Sequence, residues 1–300
     1  AAWSCKLGAF ADVVSQTTRT YAGGTTLLVS DDGSPHRHSS LERVWHTSAL
    51  SEGRLVADWL FAQHSSDAWL IRAGRQPINL TQSFLLSPND LFAPYSATSF
   101  FRTYKPGVDS LRINWLPTDA LEIEATGVAG WYDAHGDGKR NDFDPSNSAT
   151  LMRGVVRFAR GEVGLFGGRM RDRAILAPQG LLDLGQVGSV RLDAQWASDR
   201  DTSDLRHRRV TLGWERVWFG RVTSQVEGSE RSDGGRNAED YRSRLAAGDT
   251  GFWGARYLAC GLLLEVDTSK TLRWVTFANA DDGSILSAAE WGLALSQDRH

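Results

Sequence analysis

From Arg191 to Trp196 the chain reads Arg-Leu-Asp-Ala-Gln-Trp, with a charged or amide side chain alternating with apolar bulk at every step. Successive side chains of an extended strand point to opposite faces. Leu192, Ala194 and Trp196 therefore fall on one face, and Arg191, Asp193 and Gln195 on the other. The same register returns at Leu55/Ala57/Trp59/Phe61, Trp69/Ile71/Ala73, Leu111/Ile113/Trp115, Leu121/Ile123/Ala125, Val210/Leu212/Trp214, Trp253/Ala255/Tyr257/Ala259 and Trp291/Leu293/Leu295. Helical spacing fits none of these windows better. The chain is thus expected to be all-β, with one face that favours oil and one that favours water. A soluble β-sandwich shares that pattern, and three further features point to a membrane instead.

The first is composition. The 300 residues are 41% hydrophobic with a mean hydropathy of -0.34, and no uninterrupted apolar run approaches the roughly 18 residues of a helical span. Helical spans are excluded, whereas a transmembrane barrel needs apolar residues only at alternate positions. The second is aromatic content: 12 Trp, 12 Phe and 6 Tyr. Trp3, Trp115, Trp131, Trp218 and Trp291 fall at the ends of expected strands, where an indole at the membrane interface buries its ring and keeps its N–H wet. Trp59 and Trp214, in mid-strand, read as packing residues. The third is the unevenness of the connections. Tight turns at Glu52-Gly53, Ser65-Ser66-Asp67, Pro117-Thr118-Asp119 and Arg160-Gly161 alternate with long polar stretches at 31–40, 133–148, 199–204 and 232–240.

Together these features predict one domain over residues 1–300, an antiparallel up-and-down transmembrane β-barrel with short turns on one rim and long loops on the other. Bacterial barrels are even-numbered and spend about 9–11 residues per span, so about 12–16 strands are expected, with 14 as the central value. The less regular stretches Thr25–Ser30 and Tyr241–Ala247 are the weakest strands. No leader is visible at Ala1, so the chain reads as mature or trimmed.

The interior of such a barrel is legible as phase. Asp58, Arg72, Arg112, Glu122, Glu124, Arg191, Asp193 and Glu215 sit opposite the apolar faces of their strands and are expected to line the pore, accompanied by Arg75 and Asp90. Rings of lumen charge tune solute passage; facing Arg and Glu residues would equally serve to pair and stiffen the wall. Their mixed signs argue against strong selectivity for either charge. Pro77, Pro88, Pro94 and Pro106 remove ladder donors, so Leu80 to Phe101 is expected to leave the sheet. Its apolar residues, Phe84 and Phe92 among them, are costly in solvent and suit a constriction folded into the lumen or a cover packed on a rim; an external loop is the alternative.

The stretch from Arg72 to Pro117 carries a further signal in three runs: Arg72-Ala-Gly-Arg-Gln-Pro-Ile-Asn, Ser87-Pro-Asn-Asp-Leu-Phe-Ala-Pro94 and Tyr104-Lys-Pro-Gly-Val-Asp-Ser-Leu-Arg-Ile-Asn-Trp115. This stretch resembles a signature of porin-like outer-membrane proteins of Gram-negative bacteria; the rest of the chain matches in barrel style alone. Where such proteins often place Trp-Gly after the Gly-Arg-Gln strand, this chain has Asn79-Leu80-Thr81. The resemblance implies a bacterial outer-membrane location, a loop at 80–101 that is inward-folded or rim-packed, and passive diffusion of small hydrophilic solutes or ions.

Other chemistry has less to stand on. Asp133, Asp137 with Gly138, Asp142 and Asp144 approximate the alternating oxygen donors of a Ca²⁺ loop. His135 occupies a usual oxygen-ligand position, however, and Asp144 stands where a bidentate Glu closes such loops, so a solvated loop is the competing reading. No other cofactor is expected. Cys5 and Cys260 read as small apolar residues facing lipid, and neither haem-attachment nor zinc spacing occurs. With no Gly-Xaa-Ser-Xaa-Gly elbow, zinc-protease helix or phosphate loop, the chain is not expected to be an enzyme. A formal charge of -3 gives no reason to expect nucleic acid as a partner.

The lipid bilayer is the expected partner. The competing function is a non-conducting or plugged barrel subunit that anchors a multiprotein envelope complex for secretion, motility or electron conduction. Its partners would be other envelope proteins or further copies of the chain. The apolar Leu80–Phe101 and Ala174–Leu184 stretches motivate that alternative.

Overall fold

The computed structural model describes residues 2–15, 35–48, 51–92, 105–136, 139–198, 205–237, 239–242 and 254–293. Strands dominate: β1 (Ala2–Ser15), β2 (Glu42–Ser48), β3 (Ser51–Ser65), β4 (Trp69–Gln76), β5 (Val108–Thr118), β6 (Leu121–Val128), β7 (Trp131–Tyr132), β8 (Asp142–Phe143), β9 (Ala149–Phe158), β10 (Gly161–Met170), β11 (Arg173–Asp183), β12 (Ser189–Ser198), β13 (Leu205–Trp218), β14 (Val222–Arg231), β15 (Arg256–Asp267), β16 (Lys270–Asn279) and β17 (Ile285–Leu293). Among the described residues no helix is long and apolar enough to cross a membrane. All but β7 and β8 belong to one 15-stranded sheet in the order β1-β3-β4-β5-β6-β9-β10-β11-β12-β13-β14-β15-β16-β17, with β2 beside β3. Among the described residues the sheet therefore holds fifteen strands, fourteen of them on one path and β2 beside it, within the 12–16 expected from sequence but not the even number. Thr25–Ser30 lies outside the described residues, and Tyr241 and Arg242 are helical in place of the expected strand.

The chain forms two compact units, one of Ala1–Asn79, Tyr104–Gly154 and Gly168–Arg173, the other of Leu80–Thr103, Val155–Gly167 and Ala174–His300. In the first, β3 is paired along its whole length with β1. Its opposite edge is shared end to end: β2 pairs with its beginning, from Ser51 to Val56, and β4 with its last part, from Leu60 to Ser65. Opposite β1, Gly8 pairs with Trp59 and Ala9 with Ala57, leaving Asp58 as an extra residue. Such a bulge reverses the facing of every later side chain. Phe61 is consequently buried beneath the Arg72 guanidinium, while Leu60 is exposed. This corrects the uninterrupted Leu55/Ala57/Trp59/Phe61 register expected from sequence. Next to the bulge, Gly74 adopts φ +122, and a Cβ there would lie 2.4 Å from the Leu60 carbonyl oxygen.

In the second unit the alternation holds along the middle of β12–β14, with a register shift between β12 and β13 at Ala197/Ser198. Leu192, Leu212 and Val226 are exposed on one face, and Asp193, Thr211 and Glu227 are buried on the other. On β15 the exposed face holds Leu258 and Leu262 with Cys260 between them, while Ala259 and, just before the strand, Ala255 are buried. The structure thus inverts the expected lipid-facing Ala255/Tyr257/Ala259 register. Ala174–Leu184, expected as a sticky stretch, is chiefly strand β11, with Ile175 and Ala177 buried and Leu176 and Leu182 exposed.

Apart from the two-residue turn 171–172 between β10 and β11 and the five residues 280–284 between β16 and β17, the short connections among the described residues lie at one end of the strands: 66–68 and 119–120 in the first unit, 159–160, 184–188, 219–221 and 268–269 in the second. Trp3, Trp69 and Trp115 lie near that end in the first unit, the latter two stacked at 5.8 Å between ring centroids. Trp214, Trp218 and Trp291 do so in the second. Trp131 does not: it belongs to the small β7–β8 ribbon of the long-loop end, with its ring 4.7 Å from His38 and 6.0 Å from Phe143.

Candidate functional site

After Gln76 the prolines at 77 and 88 lack amide hydrogens, and the chain leaves the ladder as expected. Its backbone amides then need partners, and residues 81–89 find them on the polar side of β12 and β14. The Asp193 carboxylate accepts from Thr81 Oγ1 at 2.6 Å, Gln82 N at 2.9 Å and Ser83 N at 2.6 Å through Oδ2, and from Asn89 Nδ2 at 3.0 Å through Oδ1. The Glu227 carboxylate accepts from three successive amides, Phe84 N at 2.6 Å, Leu85 N at 2.9 Å and Leu86 N at 2.7 Å. Gln195 Nε2 donates to the Pro88 carbonyl at 2.9 Å, and Gln82 Nε2 donates to Glu162 at 2.5 Å. Runs of amides turned toward one oxyanion form a concave anion cradle, so each carboxylate is buried without being left unsatisfied. Opposite Glu227, a Cβ on Gly213 would stand 3.1 Å from the Glu227 side chain. The glycine keeps space for the carboxylate to rise off the sheet.

The segment hides its own apolar side chains. Leu86 packs with Ala259, Val275 and Phe277, with Leu85 and Tyr257 against them, and Phe92 is buried. Phe84 is 46% exposed and carries the Arg191 guanidinium 4.0 Å above its ring centroid. Arg191 also pairs with Glu215 at 3.0 Å, and Glu215 accepts from Gln225 Nε2 at 2.8 Å. Phe84, Arg191 and Glu215 form the accessible border of the segment, whereas Asp193 and Phe92 are buried parts of its attachment. Asp90 is half-buried, its amide donating to the Ser87 carbonyl at 3.3 Å.

The polar face of the first unit is a separate array. Gln63, Arg72, Arg112 and Thr126 stand in register across β3, β4, β5 and β6. Arg72 Nε donates to Gln63 at 2.7 Å. Arg112 donates to Glu124 at 2.6 and 3.2 Å, and Glu124 also accepts from Thr126 at 2.7 Å and Asn114 at 2.9 Å. Asn114 donates in addition to Glu122 at 2.8 Å. Arg75 and Asp58 are placed differently from the expected pore lining. Arg75 is 1% exposed. It holds Asp109 at 2.8 and 3.2 Å and donates to the His38 carbonyl at 2.7 Å. Asp58 pairs with Arg37 at 2.5 Å, and Arg37 with Glu42 at 3.1 Å. These side chains make a buried ionic cluster beneath residues 36–42. Close by, burial and then the Arg171 charge lower the His36 pKa to about 4.

Sequence reasoning passes over Glu227, Gln195 and Thr81 as anchors, and Arg37 and Glu42 as cluster members; Asp109 stands with Arg75 among the charges that accompany the segment. The Gln225/Glu227/Ser229 phase of β14 carried the signal for Glu227. The expected Ca²⁺ donors serve their own loop where they are described: Asp133 accepts from the amides of His135 and Gly136, Asp142 from Ala134, and Asp144 from Ser146 and Asn147. Asp137 lies outside the described residues, among which no group of three or more such side chains is poised around a common point.

No protein-family model matches the chain, and no curated protein matches its sequence. Solved structures do. Acinetobacter baumannii OccAB4 superposes with a TM-score of 0.50 at 12% identity, over 79% of this chain and 65% of that one. A triple mutant of the Rh. blastica porin gives a TM-score of 0.51 at 11% identity, over 82% of this chain and 79% of that one. The fold is that of a porin-like antiparallel β-barrel. This chain spans a little under two thirds of the length of OccAB4.

Proposed function

We propose that the chain is a bacterial outer-membrane channel of porin type, for passive diffusion of small hydrophilic solutes or ions. One observation carries this reading: the two faces of the sheet are inverted relative to a soluble protein. In the second unit Leu192, Leu212, Leu258 and Trp274 are exposed, and Asp193, Thr211 and Glu227 are buried on the opposite side. An apolar surface of that extent is stable against acyl chains and unstable in water, and the polar side then borders the aqueous path. On this reading the segment from Leu80 to Phe92 narrows the path, with Phe84, Arg191 and Glu215 at its wet border. Solutes are sorted by size and charge, and no bond is made or broken. The porin-like fold supports the same assignment.

The dense attachment of the segment supports a second reading, a plugged barrel that anchors an envelope complex. Single-channel recording in a planar bilayer separates the two, with the chain intact and then lacking residues 80–101. Stable conductance steps from the intact chain are the expected result. Silence that turns to conductance on deletion would favour the plugged barrel, and silence from both would overturn the channel.

A further inference from the structure

We propose that the apolar face at the short-turn end of β13 binds the phosphate of a phospholipid headgroup through Arg216. The proposal rests on the membrane reading above. Along β13, Thr211 is buried and hydrogen-bonds Ser229, a Cβ on Gly213 would meet Glu227, and Glu215 pairs with Arg191. Those three residues occupy the polar face. Leu212, Trp214, Arg216 and Trp218 therefore share the apolar one.

Arg216 is a cation on a surface made for acyl chains. Arg208, on the same face at the other end of β13, pairs with Glu230 at 3.3 Å. Arg216 faces Ser224 across β14 and has no carboxylate within ion-pair distance among the described residues. Its guanidinium lies 3.8 Å from the Trp218 ring centroid. Both neighbouring indoles are fixed by the protein, Trp218 Nε1 donating to Ser224 Oγ at 2.8 Å and Trp214 Nε1 to the Val187 carbonyl at 3.0 Å. The aromatic ring that supports the guanidinium is thus locked in place. Gly188, at φ +108, lacks a Cβ that would stand 2.2 Å from the Glu215 carbonyl oxygen and 3.1 Å from the Arg216 Cβ. At the turn itself Phe219 is 95% exposed and Arg221 is exposed beside it.

Burying a guanidinium in hydrocarbon without an anion is unfavourable, and a long side chain escapes by reaching for the interface. Arg216 is two residues from the end of β13, roughly 7 Å of strand, within that reach. Stacking on an indole leaves the planar N–H fork open at its edge, the geometry that takes two phosphate oxygens at once. The charge it lacks within the protein is the one a phosphodiester supplies, while Trp214, Trp218 and Phe219 meet the upper acyl chain.

Native mass spectrometry of the detergent-purified full chain tests this, using dioleoylphosphatidylglycerol and, as a probe without phosphate, dioleoylglycerol. The wild type is expected to retain the phospholipid roughly tenfold more tightly than Arg216→Gln, the loss of one charged hydrogen-bonding group. Arg216→Lys, which keeps the charge and loses the fork, falls between them, and dioleoylglycerol does not distinguish the three. Arg216→Gln is expected to conduct like the wild type because residue 216 is on the face away from the channel, which also reports that the variant has folded. Equal phospholipid retention by wild type and Arg216→Gln would overturn the headgroup site. Displacement of the lipid by excess inorganic phosphate would overturn it too, in favour of a bare anion site. Flotation with phosphatidylglycerol vesicles separates the two levels of the argument. A chain that does not float removes the membrane reading and this site with it, whereas a chain that floats with unchanged lipid retention in Arg216→Gln removes the site alone.

Discussion

The Arg191 guanidinium stands 4.0 Å above the ring centroid of Phe84, joining a strand of the sheet to a segment far earlier in the chain. Because Phe84 is also the exposed ring of that segment, Phe84→Ala is expected to do two things. It weakens the attachment by about 0.5–1 kcal/mol through loss of the cation–π contact, and it widens the passage. Single-channel conductance should rise with strand content unchanged by circular dichroism. An unaltered conductance would mean that Phe84 does not border the path.

Glu227 offers two acceptor oxygens to the amides of Phe84, Leu85 and Leu86. Glu227→Gln replaces one of them with an NH₂ group directed at other donors and removes the charge, which makes such bonds worth about 1.5–3 kcal/mol each. Residues 80–92 should then become cleavable by added protease in an otherwise folded protein. Gln225→Ala, on the same face of the same strand but bonded to Glu215, should leave the segment as resistant as before. Equal resistance in Glu227→Gln would argue that the apolar contacts of Leu86 suffice to hold it.

Glu124 is 1% exposed and ion-pairs at 2.6 Å with Arg112, which remains partly open to water. The two substitutions should therefore be unequal. Arg112→Met leaves a buried carboxylate without its partner, at a cost of about 3–5 kcal/mol, while Glu124→Gln leaves a cation that water can still reach. Guanidinium-induced unfolding should show the larger loss for Arg112→Met.

His36 gives the protein a stability that depends on acidity. Burial and the nearby Arg171 charge lower its pKa from 6.5 to about 4. In acid the unfolded chain therefore takes up the proton before the folded one does. Stability from this group is fully present above about pH 6.5 and declines as the pH falls toward about 4, by up to about 3 kcal/mol. Unfolding midpoints measured across that interval should fall for the wild type and fall less for His36→Gln; parallel slopes would assign the effect to other groups.

The sheet and its two faces are legible in the sequence because strand phase is written at every second residue, as exposed Leu192 and Leu212 beside buried Asp193 and Thr211 illustrate. The departure of residue 80 onward from the ladder was legible because proline lacks a donor. Two classes of feature were not. A bulge such as that at Asp58 shifts phase by one residue and depends on the partner strand, so alternation alone puts Phe61 on the wrong face. Contacts between a loop and a distant strand leave no spacing at all: nothing near Ser83 announces Asp193, and nothing near Leu85 announces Glu227. Trp131 misleads for a related reason, since a two-residue strand in a loop ribbon imitates the end of a spanning strand.

The separation between the segment and its anchors sets an order for folding. Ser83 meets Asp193 110 residues later, and Phe84 meets Glu227 143 residues later. Contacts so remote in sequence form only after the intervening loop has been closed by other structure, here the hairpins that bring β12 and β14 together. The sheet is consequently paired before residues 80–92 are held, and on the proposed channel reading the passage narrows as a late step of assembly.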